Sequence, residues 1–363
     1  MVTMKDVQFI SNQFCIASNL ESVAPLESGH INDTFLIVTK NNERYVLQKL
    51  NANVFNDVVS VISNKVNVSK HLLKVQDSKY ETITFIETKD KAYYHMDNNG
   101  DYWNMMSFIP NSNTVSVANN EKLVFEAGKL YGDFISQTAT LPAIKIKETL
   151  PNFHNVPLRF SQFEIALQNT SESHKGDAME AIEFAYRCRD EMFRLAALKE
   201  EGAFPMRIVH NDAKLSNILF NENDEGLAVI DLDTVMPGIV HFDFGDSIRS
   251  ICTNMVEDDG DFENVSIKLD YYEAFCRGYA ESTGSILTPQ EVKYLPLGAK
   301  TIIFIMGLRF LTDYLNGNTY YKIKYDTHNL VRCKNQFKLL ESVQLHYDEI
   351  QRITYEAYGL DIS

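Results

Sequence analysis

The chain has 363 residues, a length that suits roughly two domains or lobes. Apolar residues make up 45%, with 22 Phe and 18 Tyr, and this much core-forming material excludes global disorder. Lys and Arg number 34 against 49 Asp and Glu, a formal net charge of -15, which argues against non-specific nucleic-acid binding but leaves room for a small anion where a metal ion and a few donors reverse the local field.

Residues 22–50 read as strand, turn, strand, strand, with Lys40-Asn41-Asn42-Glu43 as a polar hairpin tip. Residues 56–74 carry apolar side chains at Val58, Val59, Ile62, Val66, Leu72 and Leu73, which predicts a helix. Strands are expected over 82–87, 92–96 and 102–109, with Asp97-Asn98-Asn99-Gly100 as the turn between the last two. From Glu121 the pattern becomes helical, with helices predicted near 121–135, 180–199, 271–282, 289–314 and 335–358. Two short strands near Ile218-Leu219-Phe220 and Leu227-Ala228-Val229-Ile230 interrupt that half. The expected architecture is α+β and two-lobed: a small β-rich N-terminal lobe over 1–110 and a large helical lobe over 111–363, with a ligand cleft between them.

The five cysteines are odd in number and include no C-x-x-C pair, so they are expected to be reduced thiols in a cytoplasmic protein. No long apolar run follows Met1. The most apolar stretch, 301–311, is short of the ~18–20 residues of a membrane span and contains Arg309, so no membrane partner is expected.

The chemistry concentrates in His210-Asn211-Asp212-Ala213-Lys214-Leu215-Ser216-Asn217, followed by Val229-Ile230-Asp231-Leu232-Asp233. An Asp on a short loop can accept a hydroxyl proton. An Asn five residues on and a second Asp at the end of an apolar strand can hold Mg2+ against nucleotide phosphates. Phosphoryl transfer asks a protein mainly for placement and charge neutralisation, and these groups supply both. The spacing thus assigns Asp212 as general base and Asn217 and Asp231 as metal ligands. His210 reads as a loop buttress rather than an acid–base group. Lys214 reads either as a cation offsetting phosphate charge or as a surface lysine, and Asp233 as a further metal-side carboxylate or a loop-stabilising group.

These segments, with Gly29-His30-Ile31-Asn32, Tyr45-Val46-Leu47-Gln48, Asp231-Leu232-Asp233-Thr234, Phe242-Asp243-Phe244-Gly245-Asp246 and Gly307-x-Arg309-Phe310-Leu311, resemble the aminoglycoside phosphotransferase and choline kinase superfamily, and more closely its N-acetylhexosamine 1-kinases. The resemblance implies a protein-kinase-like fold. It also implies ATP- and Mg2+-dependent phosphorylation of the anomeric hydroxyl of N-acetylglucosamine or N-acetylgalactosamine, by a monomer or weak dimer. It places His30, Arg309 and Tyr320 on the sugar, and Met106, Ser107, Phe108 and Ile109 as a hinge for adenine. A same-fold kinase of choline, homoserine or an aminoglycoside is the alternative, as is a non-catalytic nucleotide binder.

One departure stands out. Kinase-like folds put a Lys on the third strand and a Glu on the first helix. Here Gln48 occupies the Lys slot, and the helix over 56–74 has no Glu. Lys49 belongs to the opposite face by strand periodicity, unless a bulge turns it inward. Gln48 would then meet a phosphate through its amide. Arg309 interrupts an apolar helix. It either reaches a polar cleft or pairs with Asp313, one turn on.

Overall fold

The computed structural model describes residues 3–26, 31–75 and 79–361. After a short helix, α1 (Met4–Ser11), come β1 (Leu20–Pro25), β2 (Asp33–Thr39) and β3 (Arg44–Leu50). Helix α2 (Val58–Leu72) follows, then β4 (His95–Met96) and β5 (Tyr102–Ser107). The strands form an antiparallel five-stranded sheet in the order β1-β2-β3-β5-β4. The alternation of β2 and β3 sends Phe35, Ile37 and Leu47 to one face, where Val7, Ile10, Phe14, Trp103 and Met105 complete a core under α1. The other face is covered by α2, whose Val58, Val61, Ile62 and Val66 pack with Leu50 and Phe55.

Asp57 caps α2 by accepting the Ser60 amide (3.0 Å), and Lys70 and His71 complement the carbonyl end. Asn64 then ties α2 to distant backbone. It donates to the carbonyls of Lys147 (2.8 Å) and Val235 (3.1 Å) and accepts the Lys147 amide (2.9 Å).

Beyond β6 (Asn113–Thr114) the chain is largely helical. It comprises α3 (Glu121–Thr138), α4 (Val156–Asn169), α5 (Glu172–Asp177) and α6 (Met179–Glu200), then β7 (Arg207–Val209), β8 (Ile218–Phe220), β9 (Gly226–Val229) and β10 (Met236–Gly238). It closes with α7 (Val240–Ile251), α8 (Leu269–Thr283), α9 (Pro289–Leu315), α10 (His328–Leu345) and α11 (Tyr347–Ala357). By length and mean hydropathy α9 is apolar enough to cross a membrane, yet 83% of that window is buried inside the protein, so it is the core helix here. Its Gly298 meets α7 closely: a Cβ there would lie 2.5 Å from the His241 carbonyl oxygen, and one on Gly245 would lie 2.4 Å from the Gly298 oxygen.

The predicted and observed elements differ where burial hides the pattern. Residues 82–87 form no regular strand. They run beside β5 through Ile86 N–H to Met105 (2.9 Å) and Ser107 N–H to Thr84 (2.8 Å). The strand expected over 92–96 shrinks to His95–Met96. The helix expected over 335–358 starts at His328 and breaks at His346 into two. Helix α7 escapes periodicity because it is buried on nearly every side, with Asp243, Gly245 and Asp246 inside. Asp246 lies inside α7 and pairs with Arg249 (2.8 Å).

Candidate active site

The loop between β7 and β8 carries the central residues. Strand β7 pairs with β10, Val209 opposite Met236, which brings the loop against the segment after Asp231. The Asp243 carboxylate, from the first turn of α7, accepts the amides of His210 and Asn211 (2.6 Å each). Asn211 takes a left-handed conformation (φ 63°), one that Asn tolerates better than most residues. Burial pushes Asp243 up to about 6 even though both amides favour its charged form. Thr234 Oγ donates to the His210 carbonyl (2.7 Å), Asn211 Nδ donates to the Thr234 carbonyl (3.1 Å), and Tyr131 OH donates to the Lys214 carbonyl (2.7 Å). His210 is wholly buried, edge-on to the rings of Tyr131 and Phe134, with Nε2 bonded to the Ile230 carbonyl (2.8 Å).

Asp212 projects from this braced loop with 30% of its side chain exposed. Lys214 Nζ donates to its Oδ2 (2.7 Å), and Asn217 Nδ donates to the same oxygen and to the Asp212 carbonyl (2.9 Å each). Burial would raise the carboxyl, but the Lys214 charge and hydrogen bond, His210 and Asn217 hold it below its usual value. Asp212 is therefore an anion across the neutral range.

Asp231 follows the end of β9, beside Asn217, whose carbonyl accepts the Ile230 amide (2.9 Å). Its backbone is left-handed (φ 61°, ψ 55°), opening the 3-10 turn Leu232–Thr234. Burial first, then the charges of Asp233 and Asp212, push it to about 7, against Lys214 and Lys65. A buried carboxylate crowded by two others suits a divalent cation. Among the described residues no group of three His, Cys, Asp or Glu side chains could hold a metal alone. One or two side chains plus phosphate oxygens is, however, the usual way Mg2+ is held with a nucleotide. Asn217 and Asp231 fit that donor set.

Gln48 is buried on β3, in register with Thr34 and Asn104 and without a bulge, while Lys49 lies on the other side with Asp101 (2.5 Å) and the Trp103 ring. Gln48 Oε1 accepts from Lys65 Nζ (2.8 Å), and Lys65, from α2, is also paired with Asp233. Asp233 receives Asn32 Nδ as well, and Asn32 Oδ1 in turn accepts the Asn51 amide (2.9 Å). So Asp233 lies in a buried ion pair that joins β3, α2 and the turn before β2. Lys65 was missed at the sequence level. Its signal was its position, three residues after Ile62 and four after Val61 on the apolar stripe.

In the hinge segment, the Ser107 and Phe108 amides donate to Thr84 (2.8 Å) and Arg44 (3.3 Å). Among the described residues no hydrogen bond engages the Ile109 amide. Ile83, Ile109 and Ala228 form a small apolar cluster, with Met106, Leu219, Leu227 and Ile230 partly exposed around it. This cluster joins the hinge segment to the β8–β9 hairpin that ends at Asp231.

Arg309, on α9, pairs with no acid among the described residues, and its charge reaches His154, whose Nε2 bonds the Asn211 carbonyl (3.3 Å). Its contacts are Met306 Sδ (3.8 Å) and the rings of Phe153, Tyr320 and Tyr321 at 5.6–5.9 Å. Asp313 is engaged elsewhere. It accepts the amides of Thr319 (2.9 Å), Tyr320 (2.8 Å) and Tyr321 (2.9 Å), and Asn329 Nδ (2.9 Å). Arg159 and His154 lie within electrostatic range of Arg309, and burial with the Arg309 charge drops His154 to about 3, so it is neutral. Three buried polar atoms of this group, Arg159 Nε, His154 Nδ1 and Tyr321 OH, have no hydrogen-bond partner. Tyr320 is largely exposed. His30 lies outside the described residues.

The model of the phosphotransferase enzyme family (APH) matches residues 22–281, well over half of the chain, and the protein belongs to that family. It is accordingly a phosphotransferase of the small-molecule kinase type, with a protein-kinase-like fold. Among solved structures, the microcompartment-associated aminopropanol kinase is similar at a TM-score of 0.65 and 14% identity, over 96% of this chain and 99% of that one. An amicoumacin kinase in complex with AMP-PNP, Ca2+ and Ami is similar at 0.61 and 12%, over 92% of each chain. A spectinomycin phosphotransferase in complex with ADP and spectinomycin is similar at 0.56 and 12%, over 98% of each. At these identities the likeness shows the fold.

Proposed function

We propose that the protein is an ATP-dependent N-acetylhexosamine kinase that phosphorylates the anomeric hydroxyl of N-acetylglucosamine or N-acetylgalactosamine. Adenine lies on the apolar cluster of Ile83, Met106, Ile109 and Leu219, with Ile109 as the hinge residue whose amide is available. Asn217 and Asp231 hold Mg2+, which neutralises phosphate charge and orients the terminal phosphoryl group. Asp212 accepts the proton of the attacking hydroxyl, and Lys214 keeps that carboxylate ionised and aimed.

The observation that carries the sugar reading is Arg309, a guanidinium with no acid partner among the described residues, ringed by tyrosines and by buried polar atoms that lack partners. Such groups suit a neutral polyhydroxylated acceptor: aromatic faces for the ring, donors and acceptors for its hydroxyls. A cationic acceptor would be repelled by Arg309 and Arg159. The acidic run Glu257-Asp258-Asp259-Gly260-Asp261 does not offer it a counter-charge. Glu257 pairs with Arg249 (2.7 Å), Asp258 faces Lys324, His328 and Arg332, and Asp259 and Asp261 hold their own loop. Choline and aminoglycoside acceptors are therefore disfavoured. The five cysteines are free thiols, four of them buried, in keeping with the cytoplasmic setting we infer.

The deciding experiment is product identification by phosphorus NMR after incubation with ATP, Mg2+ and each N-acetylhexosamine. A doublet from a phosphate on carbon 1 is the expected result. Phosphate on carbon 6, or turnover confined to amine acceptors in a parallel ADP-release panel, would overturn the reading.

A further inference from the structure

Strand β3 brings no cation to the phosphate side of the site. Gln48 stands in the lysine slot, and Lys49 points away to Asp101. Around Asp231 the charges are the carboxylates of Asp233 and Asp212 against Lys214 and Lys65. Lys214 is bonded to Asp212. That leaves Lys65.

Lys65 is an unusual residue to bury: 2% of its side chain is exposed, beside Val61, Ile62 and Val66 on a helix whose other buried polar residues are uncharged. The desolvation cost of burying an ammonium and a carboxylate can exceed their mutual attraction, so such a pair is weak evidence of a stabilising role. The pair is also incomplete. Nζ has three protons, Gln48 and Asp233 receive two, and the Phe85 ring lies 5.6 Å away. Across the ladder from Gln48, Asn104 is wholly buried with neither amide atom partnered. The helix that carries Lys65 is fixed by the three Asn64 hydrogen bonds.

We propose that Lys65 on α2 is the polyphosphate-binding cation of this kinase, taking from the helix side the place that a β3 lysine would occupy, with Gln48 orienting it and Asp233 holding it until a nucleotide phosphate arrives. The usual arrangement is thereby inverted: the helix supplies the cation and the strand supplies a neutral acceptor. A lysine is suited to this as a compact charge on a flexible stem, able to pass from a carboxylate to a phosphate oxygen without moving its backbone.

The test compares ADP with adenosine, which share a base and ribose but differ in phosphate, by calorimetry on the full chain in EDTA. Lys65→Met is expected to weaken ADP at least tenfold and to leave adenosine within twofold. Because that variant strands Asp233 as an uncompensated buried charge, a second pair guards against misfolding. Lys65→Gln/Asp233→Asn is compared with Asp233→Asn alone, and the same selective tenfold loss of ADP is expected. Equal loss of ADP and adenosine, or loss of neither, overturns the assignment in either pair. No acceptor enters these measurements, so the sugar reading stands or falls separately.

Discussion

Asp212 and Asp231 are two carboxylates in one site with opposed environments. Lys214 and Asn217 hold Asp212 ionised, while burial and its acidic neighbours leave Asp231 near half protonation at pH 7. Asp212→Asn keeps the size and the loop but removes the proposed proton acceptor. Turnover should fall by about 10^2–10^4-fold with nucleotide affinity nearly unchanged, as initial rates and ADP calorimetry would show. The Asp231 shift has its own signature. A carboxyl raised to about 7 binds a proton that a divalent cation must displace, so Mg2+-nucleotide binding weakens as pH falls through 7. The acid limb of kcat/KM should therefore lie near 7 and move to lower pH as Mg2+ is raised. A limb near 4 that ignores Mg2+ would contradict the assignment. These residues were legible in the sequence because they sit within one short run at fixed spacing. Lys65 was not, since a lysine in a helix reads as a surface cation until its neighbours are known. Arg159 and His154 were invisible for the same reason: nothing local marks them as meeting Arg309.

At the scale of elements, the catalytic loop is positioned from behind. Asp243 holds its amides, Asp243 is set by α7, and α7 is seated on α9 through Gly245 and Gly298. Gly245→Ala would place a methyl group 2.4 Å from the Gly298 oxygen, so the helices must part. We expect a loss of about 1–3 kcal/mol in stability, as for other overpacked cores, and a fall in kcat that exceeds any change in the KM for ATP. Thermal melts and steady-state kinetics on the same preparation measure both. Amphipathic helices such as α3, α6 and α8 were readable because each shows a solvent face, whereas α7 shows almost none. The break at His346 was hidden because apolar spacing continues across it into α11.

For the whole molecule, the sequence conveyed a β-rich beginning and a helical remainder, and the observed sheet and helices have that order. What it could not convey is how the two are fastened, because the fastenings join residues far apart in the chain. Asn64 is the plainest case, bonded to positions 83 and 171 residues away. Removing it in Asn64→Ala leaves three backbone groups to find new partners. The expected outcome is a loss of about 1–3 kcal/mol by denaturant unfolding, with a several-fold higher KM for ATP because α2 no longer presents Lys65 in place. An unchanged KM with lowered stability would make Asn64 a purely architectural residue.

The segment from Thr319 to Tyr321 hangs by its backbone from one carboxylate, Asp313, with Asn329 steadying the same group. The Tyr321 ring also packs beside Phe310 and Tyr320, whereas Tyr320 itself is largely exposed. If the segment meets the acceptor as proposed, an exchange at the exposed Tyr320 would change which acceptor is welcomed without loosening the backbone that carries it. One aspartate thereby separates how this loop is held from what its exposed Tyr320 side chain can be.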